Sequence, residues 1–205
     1  MQHSNFLTNR RIGTLILIGA LLTVCAMLLH PHGLSNNASQ IHLMRWVHGS
    51  LMFILILNTL GMIHLIDALG RIEGEFSLVL IFYYLGVASF LFAALISGFV
   101  QTSLIEFYPL ESEVFSNSNK FAALFNQALA KLGVSTFGAA AVLLFLILYS
   151  SKGTLRLVAI TNGVVGVALI VSMLSGLNLS IMTMTILSSL IAIWHCSIAL
   201  WLLNN

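Results

Sequence analysis

The sequence predicts an all-α protein: a polytopic membrane protein in which residues 1–205 form a single six-transmembrane-helix bundle. Of the 205 residues, 59% are hydrophobic and only 7% are charged. A soluble domain carries about 25% charged residues, so this chain cannot cover a water-facing surface. The hydrophobic residues also form continuous runs rather than alternating patterns, which excludes a transmembrane β-barrel.

Each of the six apolar segments is long enough to span a bilayer, which requires about 20 residues. In chain order they cover approximately residues 12–29, 43–66, 77–100, 121–149, 155–175 and 179–203. The connection between the fifth and sixth segments is so short that these two must pack as an antiparallel hairpin. The longest connection, 101–120, is predicted to be a solvated loop anchored at the headgroups by Phe107, Tyr108 and Phe115.

The first segment is predicted to be a retained transmembrane helix rather than a signal peptide. Arg10 and Arg11 precede an apolar run that would be roughly 27 Å long as a helix. This is longer than the hydrophobic region of a signal peptide, and no small-residue cleavage site follows it.

The distribution of basic residues predicts the orientation. With the N-terminus inside, Arg45 and Lys120 lie at outer helix ends, with Lys131 deeper in its segment. The inner set is larger and consists of Arg10, Arg11, Arg71, Lys152 and Arg156. Because cytoplasmic ends carry the excess of Lys and Arg, we expect an inner-membrane protein with cytoplasmic N- and C-termini (N-in/C-in).

Small residues predict where helices approach closely. The third segment carries Ser89, Ala93 and Ser97 at four-residue spacing, and the fifth carries Gly163 and Gly166. Such stripes are packing surfaces in lipid, and we expect them to contact other helices of the same bundle.

Histidines concentrate around the outer end of the second segment. Arg45 lies three residues from both His42 and His48, so the three side chains share one helix surface. His30 and His32 belong to the preceding loop. Imidazoles bind zinc, copper and haem iron, so His30, His32 and His42 are weak metal-ligand candidates. Their spacing matches no compact metal motif, and Arg45 would repel a cation.

The fourth segment supplies a complement to this cluster. Gln127 and Lys131 are four residues apart, and Lys131 is predicted to lie at a depth similar to that of His48. We therefore predict a ligand-binding group of Arg45, His48, Gln127 and Lys131 that would attract an anionic headgroup, a quinone ring or a carboxylate. One alternative is a structural salt-bridge network with acids of the 101–120 connection. Another is interfacial histidines bonded to loop carbonyls, with Arg45 reaching the headgroups.

His64 and His195 suggest a second kind of site. Two histidines from different helices at matched depth are what a bis-histidine haem b requires. This alternative holds only if the second and sixth segments are neighbours, which the sequence does not show.

The sequence contains no H-E-x-x-H, G-x-S-x-G or P-loop motif and no carboxylate inside a span. Its eight basic residues are scattered, which does not fit nucleic-acid binding. We therefore expect a small integral inner-membrane protein without catalysis of its own, which binds a small amphiphile or serves as an accessory to a partner membrane subunit. The alternatives are a membrane redox protein with haem b at His64 and His195, and a small-molecule transporter gated near Arg45, His48 and Lys131.

Overall fold

The computed structural model describes residues 8–31, 37–69 and 74–204, and all regular structure within these ranges is helical. The helices are α1 (Asn9–Leu28), α2 (Ala38–Ala68), α3 (Glu75–Leu95), α4 (Gln101–Phe107), α5 (Glu113–Leu148), α6 (Gly153–Leu174) and α7 (Ile181–Leu203). A π-helical segment, Ile96–Val100, joins α3 to α4, so residues 75–107 form one continuous rod. Six helices of the described chain are long and apolar enough to cross a membrane. The predicted all-α class with six such helices is confirmed.

The predicted 101–120 loop is wrong in most of its length. The helix of the third segment continues to Phe107, and α5 begins at Glu113, where the Ser112 hydroxyl accepts a hydrogen bond from the Phe115 backbone N–H at 3.1 Å. Phe107 and Tyr108 are exposed as expected, but Phe115 is buried against Ile41 and Ile105. Hydropathy detects only the apolar part of a helix. Polar helical turns beyond that part are therefore predicted as a loop.

The order of packing places α1 between α2 and α7, and α5 between α3 and α6. Helices α6 and α7 also pack against each other, which confirms the predicted hairpin. An aromatic group of Tyr83, Phe137 and Trp194 joins α3, α5 and α7, with ring centroids 5.0 to 6.0 Å apart. This group lies in the core, and the cavity described below lies beside it.

The small residues of α6 allow close contact with α5. A Cβ at Gly166 would lie 2.8 Å from the carbonyl oxygen of Gly138, and a Cβ at Gly163 would lie 2.9 Å from the Phe145 ring. The predicted packing surface on this helix is therefore confirmed, and its partner is another helix of the same bundle.

Candidate functional site: a central cavity

A cavity of about 270 Å³ lies inside the bundle and is lined by residues of α1, α2, α3, α5 and α7. The apolar part of the lining includes Leu51, Leu55, Phe90, Ala94 and Met184. The residues that line it along α2 recur every three or four positions, so they occupy one face of that helix.

Polar side chains lie at both ends of the cavity. His48 and Asn58 both line it, and their positions on α2 place them about 15 Å apart along the helix axis. His30 contacts His48, and we call this part of the cavity the His48 end. We call the part at Asn58 the Asn58 end; Gln127 and His195 also line the cavity.

His48 is buried between α1 and the π-helical segment. A Cβ at Gly98 of that segment would overlap the Cβ of His48, so the glycine is what lets the imidazole fit. The Nδ1–H of His48 donates to the Met44 carbonyl at 2.9 Å, and its Nε2 lies 3.3 Å from the Nε2 of His30. The two rings meet edge to face, with centroids 4.9 Å apart.

Arg45 lies outside the cavity lining. Its Nε donates to the Thr102 hydroxyl at 3.2 Å, and its guanidinium forms an ion pair with Glu106 of α4. The Thr102 hydroxyl in turn donates to the Gly98 carbonyl at 2.8 Å. This chain of contacts secures the π-helical segment to α2 near His48 and satisfies the arginine without a ligand.

Gln127 lines the cavity, whereas Lys131 is exposed and is not among the lining residues. The cavity face of α5 runs through Gln127, Ala130 and Phe137, and Lys131 falls on the flank beside it. The Gln127 amide donates to the Leu179 carbonyl at 2.9 Å, which connects α5 to the turn before α7. Of the four predicted ligand-binding residues, the structure therefore brings together only His48 and Gln127 around the cavity. A ligand-binding role for Arg45 and Lys131 stays a prediction.

His64 and His195 bond to different partners. The Nε2 of His195 lies 2.9 Å from the Tyr83 hydroxyl, and the Nε2 of His64 lies 2.9 Å from the Asn9 amide oxygen. His195 lines the cavity and His64 does not. A haem between them would need both nitrogens as iron ligands. Each of these nitrogens has a hydrogen-bond partner instead, and haem binding by the pair stays a prediction.

The weak metal candidates are also dispersed. His42 is exposed, His30 contacts His48, and His32 lies outside the described residues. Within the described ranges, no group of three or more His, Cys, Asp or Glu side chains is placed to hold a metal ion.

Asn58 was not selected as a candidate from the sequence. It is 2% exposed, and its amide oxygen lies against Gly19 of α1 with no hydrogen-bond partner in the described part of the chain. Buried polar atoms nearly always have a partner, so an uncommitted amide beside a cavity is notable. The signal that could have found it is the spacing of His48, Leu51, Leu55 and Asn58 along one face of α2.

We compared the chain with known protein families, curated proteins and solved structures, and it matches none of them. The cavity and its lining are therefore the basis of the functional argument.

Proposed function

We propose that this chain is a multi-pass protein of the cell inner membrane, with cytoplasmic termini, that binds a small neutral amphiphile in its central cavity. The observation that carries the proposal is the composition of the lining. The residues around the cavity in the described ranges include no Asp, Glu, Lys or Arg, and the polar ones are His, Asn, Gln, Ser and Thr.

The surface of the bundle supports the membrane part of the proposal. Large apolar side chains are exposed along all six long helices, for example Leu21, Phe53, Phe92 and Leu146 at 57%, 63%, 58% and 62%. In water such a surface would drive aggregation, whereas lipid tails accommodate it. The excess of Lys and Arg at the predicted inner ends supports the orientation.

The described lining contains no Asp, Glu, Lys or Arg, so a neutral ligand is favoured at a pH where its histidines are uncharged. A charged head group in an apolar cavity without a counter-charge would lose its hydration with little compensation. Asn58, His195 and Ser188 instead offer uncharged hydrogen-bonding groups, and Leu55 and Phe90 offer contact for hydrocarbon. The cavity volume of about 270 Å³ is at the low end of ligand sites, so one ring or a short chain would fill it.

The proposal can be tested by photolabelling in liposomes at about pH 8, where the proton-binding pair described below is expected to be neutral. Three diazirine probes would share one alkyl chain and end in an alcohol, a carboxylic acid or a primary amine. We expect the alcohol to label cavity-lining residues saturably and more strongly than the other two. Ala94→Phe should abolish this labelling by filling the cavity, whereas Leu95→Phe, at the exposed neighbouring position, should leave it unchanged.

Labelling that is confined to the exposed helix faces, or that does not saturate, would contradict ligand binding in the cavity. Stronger labelling by the acid would contradict the neutral head group. An optical spectrum of the purified protein with a haem band would favour the haem b alternative instead. Roles as an accessory to a partner membrane subunit or as a small transporter stay predictions.

A further inference from the structure

The hydrogen-bond partners of His30 and His48 show which ring nitrogens of these two side chains carry a hydrogen. The Nδ1 of His30 lies 2.9 Å from the Pro31 carbonyl oxygen, and the Nδ1 of His48 lies 2.9 Å from the Met44 carbonyl oxygen. A carbonyl oxygen only accepts hydrogen bonds, so each Nδ1 must carry a hydrogen. Since a neutral imidazole has a single N–H, both Nε2 atoms would then bear lone pairs.

These two Nε2 atoms lie 3.3 Å apart, which is a hydrogen-bonding distance. Two facing lone pairs would repel each other there, whereas one added proton forms an N–H···N bond and makes the pair a monocation. We propose that His30 and His48 form a proton-binding site at the His48 end of the cavity, which holds one proton between their Nε2 atoms. The proton is taken from a hydronium ion of the solvent: one O–H bond of that ion breaks, the N–H bond forms, and a water molecule is released.

The surroundings place the positive charge on His30. His48 is only 6% exposed, so a charge on its ring would be poorly solvated. His30 is partly exposed and directly follows the C-terminal end of α1, where the helix dipole stabilises a cation. His30 is therefore the imidazolium that donates from both nitrogens, and His48 is the neutral acceptor.

On the described neighbouring elements, few groups near the pair carry or can gain a charge. On α2, Arg45 lies one turn from His48, but its charge is balanced by Glu106 of α4. The π-helical segment presents Gly98, and α5 presents Gln127, both uncharged. His195 of α7 is the one other titratable side chain among the described lining residues. Cys25 of α1 is exposed and does not line the cavity.

The number of available ligands favours a proton over a metal ion. Structural Zn²⁺ takes four ligands, and within the described ranges no group of three or more His, Cys, Asp or Glu side chains is placed to hold a metal ion. All four ring nitrogens of the protonated pair are used, so the site does not need the amphiphile. The preference for a neutral head group applies to the cavity after the pair has lost its proton. Loss of the proton at high pH would remove this link between α1 and α2.

Nitrogen NMR of the folded protein with ¹⁵N-labelled histidine tests the site directly. At about pH 5, we expect two histidines whose Nε2 resonances are coupled through a shared hydrogen bond, while both Nδ1 atoms remain protonated. His30→Gln and His48→Gln should each abolish the coupling. His42→Gln, on the exposed face of α2, should retain it.

The same variants give a second measurement that does not need NMR. Because the folded pair holds the proton, its stabilisation is present at low pH and lost as the pH rises. The melting temperature of the wild type and of His42→Gln should therefore fall more steeply from about pH 5 to about pH 8 than that of His30→Gln or His48→Gln.

Absence of the coupling in folded wild-type protein at about pH 5 would overturn the proposal, even if the glutamine variants fail to fold. So would a coupling that is removed by a chelator and restored by Zn²⁺ or Cu⁺, because the bridging ligand would then be a metal ion.

Discussion

The Gln127 side chain illustrates how one residue can line a cavity and also hold two helices together. Its amide donates to the carbonyl of Leu179, a residue that is only 5% exposed. Gln127→Ala removes this bond in a partly buried setting, which should lower the free energy of unfolding by about 0.5–1.5 kcal/mol. Thermal or denaturant unfolding in detergent would measure the change.

Asn126 provides the matched control. It is the adjacent residue, it lines the same cavity, and it has no hydrogen bond within the described part of the chain. We expect Asn126→Ala to change stability by less than about 0.5 kcal/mol. Equal losses in the two variants would show that the bond to Leu179 is not what stabilises this turn.

For single residues, the sequence identifies the polar and ionisable side chains within apolar segments, but it does not show which way they point. The sequence predicts that Arg45 either binds a ligand or pairs with an acid of the 101–120 connection. Glu106 of that connection is the acid with which it pairs. Lys131 was expected beside Gln127 because four residues separate them, yet the cavity-facing positions of α5 leave it exposed. The face of a helix that points into the bundle depends on the helices packed against it, and the sequence does not show which helices are neighbours.

Among the helices, the contact between α5 and α6 depends on glycine. A Cβ at Gly166 would lie 2.8 Å from the Gly138 carbonyl oxygen, which is backbone and cannot move without the helix. Gly166→Ala should therefore lower the free energy of unfolding by about 1–3 kcal/mol through overpacking. The melting temperature of the purified protein, compared with wild type, would show the loss.

Gly49 of α2 is the control for this substitution. A Cβ there would meet its nearest neighbour, the Phe99 ring, at 3.9 Å, which is an ordinary contact. Because alanine favours the helix by up to about 1 kcal/mol over glycine, Gly49→Ala should be neutral or stabilising. A Gly166→Ala variant as stable as Gly49→Ala would mean that α5 and α6 can separate at little cost.

Helix existence was predictable from hydropathy, but helix ends and irregularities were not. Residues 101–107 and 113–120 are helical although they include many polar side chains, because capping and tertiary contacts such as that of Phe115 support them. The π-helical segment also escaped prediction, since no periodicity distinguishes Ser97-Gly98 from an ordinary helical turn. Yet this segment brings Gly98 against His48.

Considered as a whole, the cavity is a product of helix arrangement. Asn58 and His195 lie 137 positions apart in the sequence, and both line the cavity because α1, α2, α3, α5 and α7 surround the same space. The two functionally interesting ends could be predicted only in part. His48 and Gln127 were selected as unusual residues in apolar segments, whereas Asn58 required knowledge of which helix face turns inward.

The orientation of the whole molecule is the remaining sequence-based prediction, and it can be tested by cysteine accessibility. The background would carry Cys25→Ala and Cys196→Ala, which replace the two free cysteines. A single cysteine would then replace either Glu111, in the turn before α5, or Ser150, in the turn before α6. Both positions are exposed. The excess of Lys and Arg near Ser150 predicts that this turn is cytoplasmic. In intact cells, a membrane-impermeant maleimide should label Glu111→Cys at once and Ser150→Cys only after permeabilisation. The reverse pattern would place the His48 end of the cavity on the cytoplasmic side, and its proton would then be exchanged with the cytoplasm.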